Sequence, residues 1–182
     1  MERGTEFLRT QVSLAVMQHQ SFVDALRDHE RSADDIRFRD LCTKYIPLMQ
    51  EHQRMLEQHQ QEIGAEAGMG KKILNAVTSV GRDLADVAVQ SDYYRLIGDL
   101  LMSRQAEDTL KTFREAGRAL GMDQLYRIGE MGERHHDDYN REANRLIQQM
   151  FVEQVRGVEL GDTARADGSA RVADELDRRP TI

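Results

Sequence analysis

Glu130-Met131-Gly132-Glu133-Arg134-His135-His136 places a carboxylate and an imidazole three residues apart inside a long helical segment. Positions i and i+3 of a helix project from one face, so Glu133 and His136 can reach a common ion. Glu-x-x-His is the spacing with which facing helices of a bundle build carboxylate-bridged metal sites. The motif is short, and its weight depends on whether other helices bring ligands to the same level.

The segment around it, about 124–155, lines up Leu125, Ile128, Gly132, His136, Tyr139, Ala143, Leu146 and Met150 on one face. Gly129 and Gly132 interrupt it, at about 1 kcal/mol each relative to Ala, which points to a neighbouring helix or bound group coming close. Upstream, Gly121-Met122-Asp123 reads as a stop and restart, with a C′ glycine and an Asp cap. It closes a helix over about 93–120, begun at Ser91 or Asp92, whose apolar positions include Leu96, Leu100, Leu110 and Phe113. Glu107 falls close to that buried face. Ile73, Val77, Val80, Leu84 and Val87, after Gly64, Gly68 and Gly70, predict a shorter crossover helix over about 71–88.

Two further long helices precede these. The first, about 6–31, has the stripe Leu8, Val12, Ala15, Phe22 and Leu26, and His19 fills the gap where a Leu is expected. Ser32-Ala33-Asp34-Asp35 supplies cap residues for the second, about 36–63. Its stripe of Phe38, Leu41, Tyr45, Leu48, His52, Met55 or Leu56, His59 and Ile63 carries two core-facing histidines one heptad apart.

Composition agrees with an all-α chain. The 182 residues are 40% hydrophobic and 31% charged, with two prolines and no tryptophan, and are rich in residues that lose little on entering a helix. One domain with a full core is expected over 1–156, followed by a flexible tail over 157–182, where the periodicity disappears. A net charge of −7 without a basic patch excludes nucleic acid. No apolar run approaches the roughly 18 residues of a membrane span, and the start lacks the order of a signal peptide, so a cytoplasmic protein is expected. Cys42, the single cysteine, reads as a buried apolar residue.

Helix turns set the heights. With the first pair folding back near residue 34, His19 falls within about one turn of His52. A third long helix parallel to the second puts Glu107 level with His52. Folding back near residue 122 then sets Glu107 beside His136. The expected metal ligands are therefore His52, Glu107, Glu133 and His136, with His19 as a fifth ligand or a supporting group.

Two long helices, a helical crossover and two more long helices resemble the ferritin-like superfamily, most closely its small bacterial stress-associated members. The resemblance rests on Glu51-His52…Leu56…His59-Gln60-Gln61-Glu62, Lys71-Lys72-Ile73-Leu74…Val77, Glu107, and Glu133-Arg134-His135-His136 before Leu146, and covers roughly residues 10–152. It implies a four-helix bundle with a crossover between the second and third long helices, a mid-bundle iron site and oxidation of Fe(II). The first half departs from the pattern: His19 stands where a Glu is looked for, and Arg54 and Met49 occupy the positions that would complete Glu-x-x-His in the second helix. Zinc or manganese, in a mononuclear site, therefore stays open beside iron.

Two functions follow as expectations. One is a metal-binding bundle concerned with iron handling or oxidative stress. The other is a non-catalytic scaffold whose buried histidines and carboxylates fix helix register and bind a protein partner, with the C-terminal tail as one contact. A homodimer or larger homo-oligomer is expected in either case.

Overall fold

The computed structural model describes residues 2–65 and 91–157, all of them in helices and the turns between helices. The helices are α1 (Glu2–Ser32), α2 (Ile36–Glu62), α3 (Asp92–Leu120) and α4 (Asp123–Arg156). The expected crossover over 71–88 and the tail beyond Gly157 lie outside the described residues. None of the helices is long and apolar enough to cross a membrane.

The ends of the helices follow from local chemistry. Asp35 caps α2 by accepting from the backbone N–H of Arg37 at 2.8 Å, and Ser91 caps α3 by accepting from Tyr93 N–H at 3.2 Å. Gly121 ends α3 with φ +66°, in the left-handed region that glycine enters without strain. The expected Asp cap of α4 is not formed. Met122 holds that position, with no side-chain hydrogen bond, and Asp123 lies in the first helical turn, where its charge faces the positive end of the helix dipole.

Neighbouring helices run antiparallel. His29 of α1 meets Asp99 of α3 at 2.7 Å, while Ala15 and Ala106 line one cavity further along. Arg37 of α2 binds Glu153 of α4 through two 2.7 Å hydrogen bonds, and His52 reaches Ile128. In consequence α2 and α3 are parallel, as expected. The end of α2, tied by Arg9 to the Ile63 carbonyl at 2.7 Å, lies at the opposite end of the bundle from the start of α3, where the Asp92 carboxylate accepts the Asp35 N–H at 2.7 Å. The α3/α4 hairpin closes tightly: a Cβ on Gly129 would lie 2.6 Å from the Leu110 carbonyl oxygen, and one on Gly117 would lie 2.7 Å from Tyr126 Cα.

The apolar core is divided. One cluster includes Phe22, Leu26, Phe38, Tyr45, Met49, Leu96, Leu100, Tyr139 and Leu146. The other comprises Val12, Ala15, Leu56, Ala106, Leu110, Phe113, Leu125 and Ile128. Between them every helix contributes a buried polar residue: His19 from α1, His52 from α2, Ser103 from α3 and His136 from α4. The two apolar clusters are thus separated by a polar layer, and further buried polar groups, Asp99 and His59 among them, lie on either side of it.

Candidate metal centre

His19, His52 and His136 expose 1%, 0% and 0% of their surface. One ring nitrogen from each lies within 4.8 Å of the other two, and the group includes no carboxylate. The rings stand edge to face, with centroids 4.8 Å apart for His19 and His52 and 5.2 Å apart for His19 and His136.

The hydrogen bonds fix the tautomers of His19 and His52. Gln53 donates from its amide nitrogen to Glu57 at 2.8 Å and to the Val16 carbonyl at 3.3 Å, and neither of those groups can donate in return. The Gln53 oxygen therefore faces His19 Nδ1 at 2.9 Å and accepts its N–H. His52 Nε2 lies 3.0 Å from the Ile128 carbonyl and must also carry a proton. A neutral imidazole has one N–H, so His19 Nε2 and His52 Nδ1 are both bare, and they face each other at 3.1 Å. Two lone pairs at that distance repel unless a proton or a cation sits between them.

Burial opposes the proton. Desolvation lowers the pKa of His19 to about 4 and that of His52 to about 3, with the neighbouring His19 adding to the effect. It holds His136 well below the ordinary value, helped by both partners. All three imidazoles are neutral at pH 7, the form that binds a metal. His136 adds a third nitrogen: its Nδ1 shares a 2.8 Å hydrogen bond with Ser103 Oγ, and its buried Nε2, which has no hydrogen-bond partner, is free to bind a cation in the tautomer that donates from Nδ1 to Ser103.

The spacing fits an ion. Tetrahedral zinc with Zn–N near 2.05 Å sets neighbouring nitrogens about 3.3 Å apart, close to the 3.1 Å between His19 and His52. Drawing the third nitrogen in from at most 4.8 Å is a movement of roughly 1.5 Å. Gln53, the Ile128 carbonyl and Ser103 bind the opposite ring nitrogens and orient the rings as outer partners of metal-binding histidines do. Gly132 supplies the room, because a Cβ there would land on the His52 ring.

The expected glutamates are not in this group. Glu107 lies at the expected level but at the edge of α3, because the inward stripe runs Leu100, Ser103, Ala106, Leu110. Its carboxylate binds Lys111 and Asn140. Glu133 faces the seam with α3, where it pairs with Arg114. His59 is buried two turns beyond His52, and neither ring nitrogen has a partner. The sequence reading missed Ser103 and Gln53. Ser103 sits three residues after Leu100 and seven before Leu110, so the helical period marks it as inward once a hydroxyl is allowed in the stripe. Gln53, beside His52 at the α1/α2 seam, carries no comparable signal.

A scan against protein-family models and searches of curated proteins and of solved structures give no match.

Proposed function

We propose that the bundle is a metal-binding protein that holds one divalent ion of the zinc class on His19, His52 and His136. The observation that carries this reading is the pair of bare nitrogens facing each other at 3.1 Å, together with His136, whose ring offers a third nitrogen to a group spanning no more than 4.8 Å. Imidazole ligands suit zinc, copper, nickel or iron, whereas manganese and the iron sites of carboxylate-rich bundles draw on oxygen ligands. Glu107 and Glu133, committed to Lys111, Asn140 and Arg114, argue against a two-iron centre. When bound, the ion supplies a Lewis acid in a dry, rigid site. The protein's own residues hold and orient the three rings and exclude bulk water.

A ferritin-like crossover is part of the same reading. Parallel α2 and α3, with the end of the one and the start of the other at opposite ends of the bundle, support it.

Elemental analysis of untagged protein is the test, alongside His52→Ala and His136→Ala. Near-stoichiometric zinc or another divalent metal, lost in both variants with the helical content retained, is the expected result. Metal far below stoichiometry after zinc and anaerobic Fe(II) are offered would overturn the proposal. That outcome would leave the second reading, a scaffold whose polar layer fixes helix register, which the bonds of the layer to Gln53, Ile128 and Ser103 support.

A further inference from the structure

Resting on that metal reading, we infer that the fourth coordination position takes a small exogenous anion, of the size of hydroxide or the tip of a linear pseudohalide, admitted between α1 and α3.

Charge balance carries the first half of the argument. Three neutral imidazoles leave a divalent ion with its full charge, and a buried, uncompensated charge costs several kcal/mol even after relaxation. No carboxylate belongs to the group among the described residues. Of the nearby acids, Glu107 and Glu133 are held by cations and an amide at the helix edges. Asp99 is bound to His29 one turn before Ser103. The compensating anion must therefore come from solution. A zinc ion with three protein ligands characteristically keeps its fourth position for such a group.

Space and access carry the second half. A cavity of about 10 Å³ adjoins His19, lined by Ala15, Gln18, Leu56, Ala106, Thr109 and Leu110. That volume holds about one water-sized sphere. Ala15 and Ala106 present only methyl groups where α1 and α3 face each other across this cavity, and Gln18 and Thr109, which also line it, are half-buried and give it its side nearest the surface. The volume of the cavity limits the ligand to about one heavy atom beside His19, with any further atoms extending towards Gln18 and Thr109.

The test uses the full chain loaded with Co(II), whose visible spectrum reports coordination number and ligand exchange, and azide as the probe. Cobalt stoichiometry is measured before azide is added. The expected result is a saturable spectral change in the wild type. Ala106→Leu, which fills the passage, should keep the cobalt and lose at least about tenfold in azide affinity. Thr109→Leu, at a half-buried position less exposed to overpacking, gives a second measure if Ala106→Leu does not fold. A cobalt-loaded wild type indifferent to azide overturns the inference and leaves the metal site standing. Undiminished azide binding in the filled variants overturns the assigned passage. Failure to bind cobalt at all removes the metal reading itself, and the stoichiometry shows this before the azide arm begins.

Discussion

A methyl group at position 132 would collide with the His52 ring and lie 2.7 Å from Leu110 Cδ1. The ring, a side chain, gives way more easily than backbone would. Gly132→Ala should therefore leave α4 helical while pushing His52 off the Ile128 carbonyl. The expected outcome is loss of bound metal at nearly unchanged helical content, read by elemental analysis and circular dichroism; full metal retention would show that His52 is not a ligand. Ser103→Ala tests the outer partner of His136. Its ring stays in place but loses the group that orients Nδ1, and metal affinity should fall by about 10- to 100-fold in chelator competition. At this scale the sequence was legible for the histidines and for Gly132, because each interrupts an apolar stripe. It was misleading for Glu107, which is one residue, and so about 100° of helix rotation, past the inward-facing Ala106. A carboxylate near the stripe and one inside it look alike in the sequence.

Among the helices, α3 and α4 make the closest pair. Gly129 meets the backbone of α3 at Leu110 and Arg114, and Gly117 meets that of α4 at Tyr126. Gly129→Ala, in contrast to Gly132→Ala, forces two backbones apart. It should destabilise the protein by about 3 kcal/mol in urea denaturation, beyond the small gain in helix propensity; a neutral effect would show that the seam is looser than drawn. At the far end Asp35 joins α2 to α3 and, through the bonds of Arg37 to Glu153, to α4. It caps α2, holds Arg37 at 2.6 Å, and its N–H reaches Asp92. Most helix ends were legible because Asp35, Ser91 and Gly121 act through their immediate neighbours. The start of α4 was not, since Met122 takes the cap position through the turn geometry alone.

For the molecule as a whole, the neutral triad makes stability depend on pH. In the unfolded chain each histidine takes up a proton below about pH 6.5. In the folded chain His19 resists until about 4 and His52 until about 3. The unfolded state therefore binds more protons across that window, and stability falls as the pH drops from 6.5 towards 3, by about 1.4 kcal/mol for each unit of pKa depression. Metal-free protein should lose several kcal/mol between pH 7 and pH 4 in denaturant titrations. Replacing all three histidines with Leu should flatten the curve over that range. A flat curve for the wild type would mean that the histidines are already solvated or charged.

Under the proposed metal reading, the division of the three histidines between the two hairpins also orders events in time. α1 and α2 supply His19 and His52, and only α4 supplies His136, so neither hairpin alone can surround an ion. Tight metal capture must then wait until the hairpins have docked with the correct stagger, since a slip by one turn would bring His136 against Leu56 or Met49 instead of the pair. During refolding, uptake of the ion would serve as a clock for the last long-range step, lagging the appearance of helix by the time the two halves need to find each other.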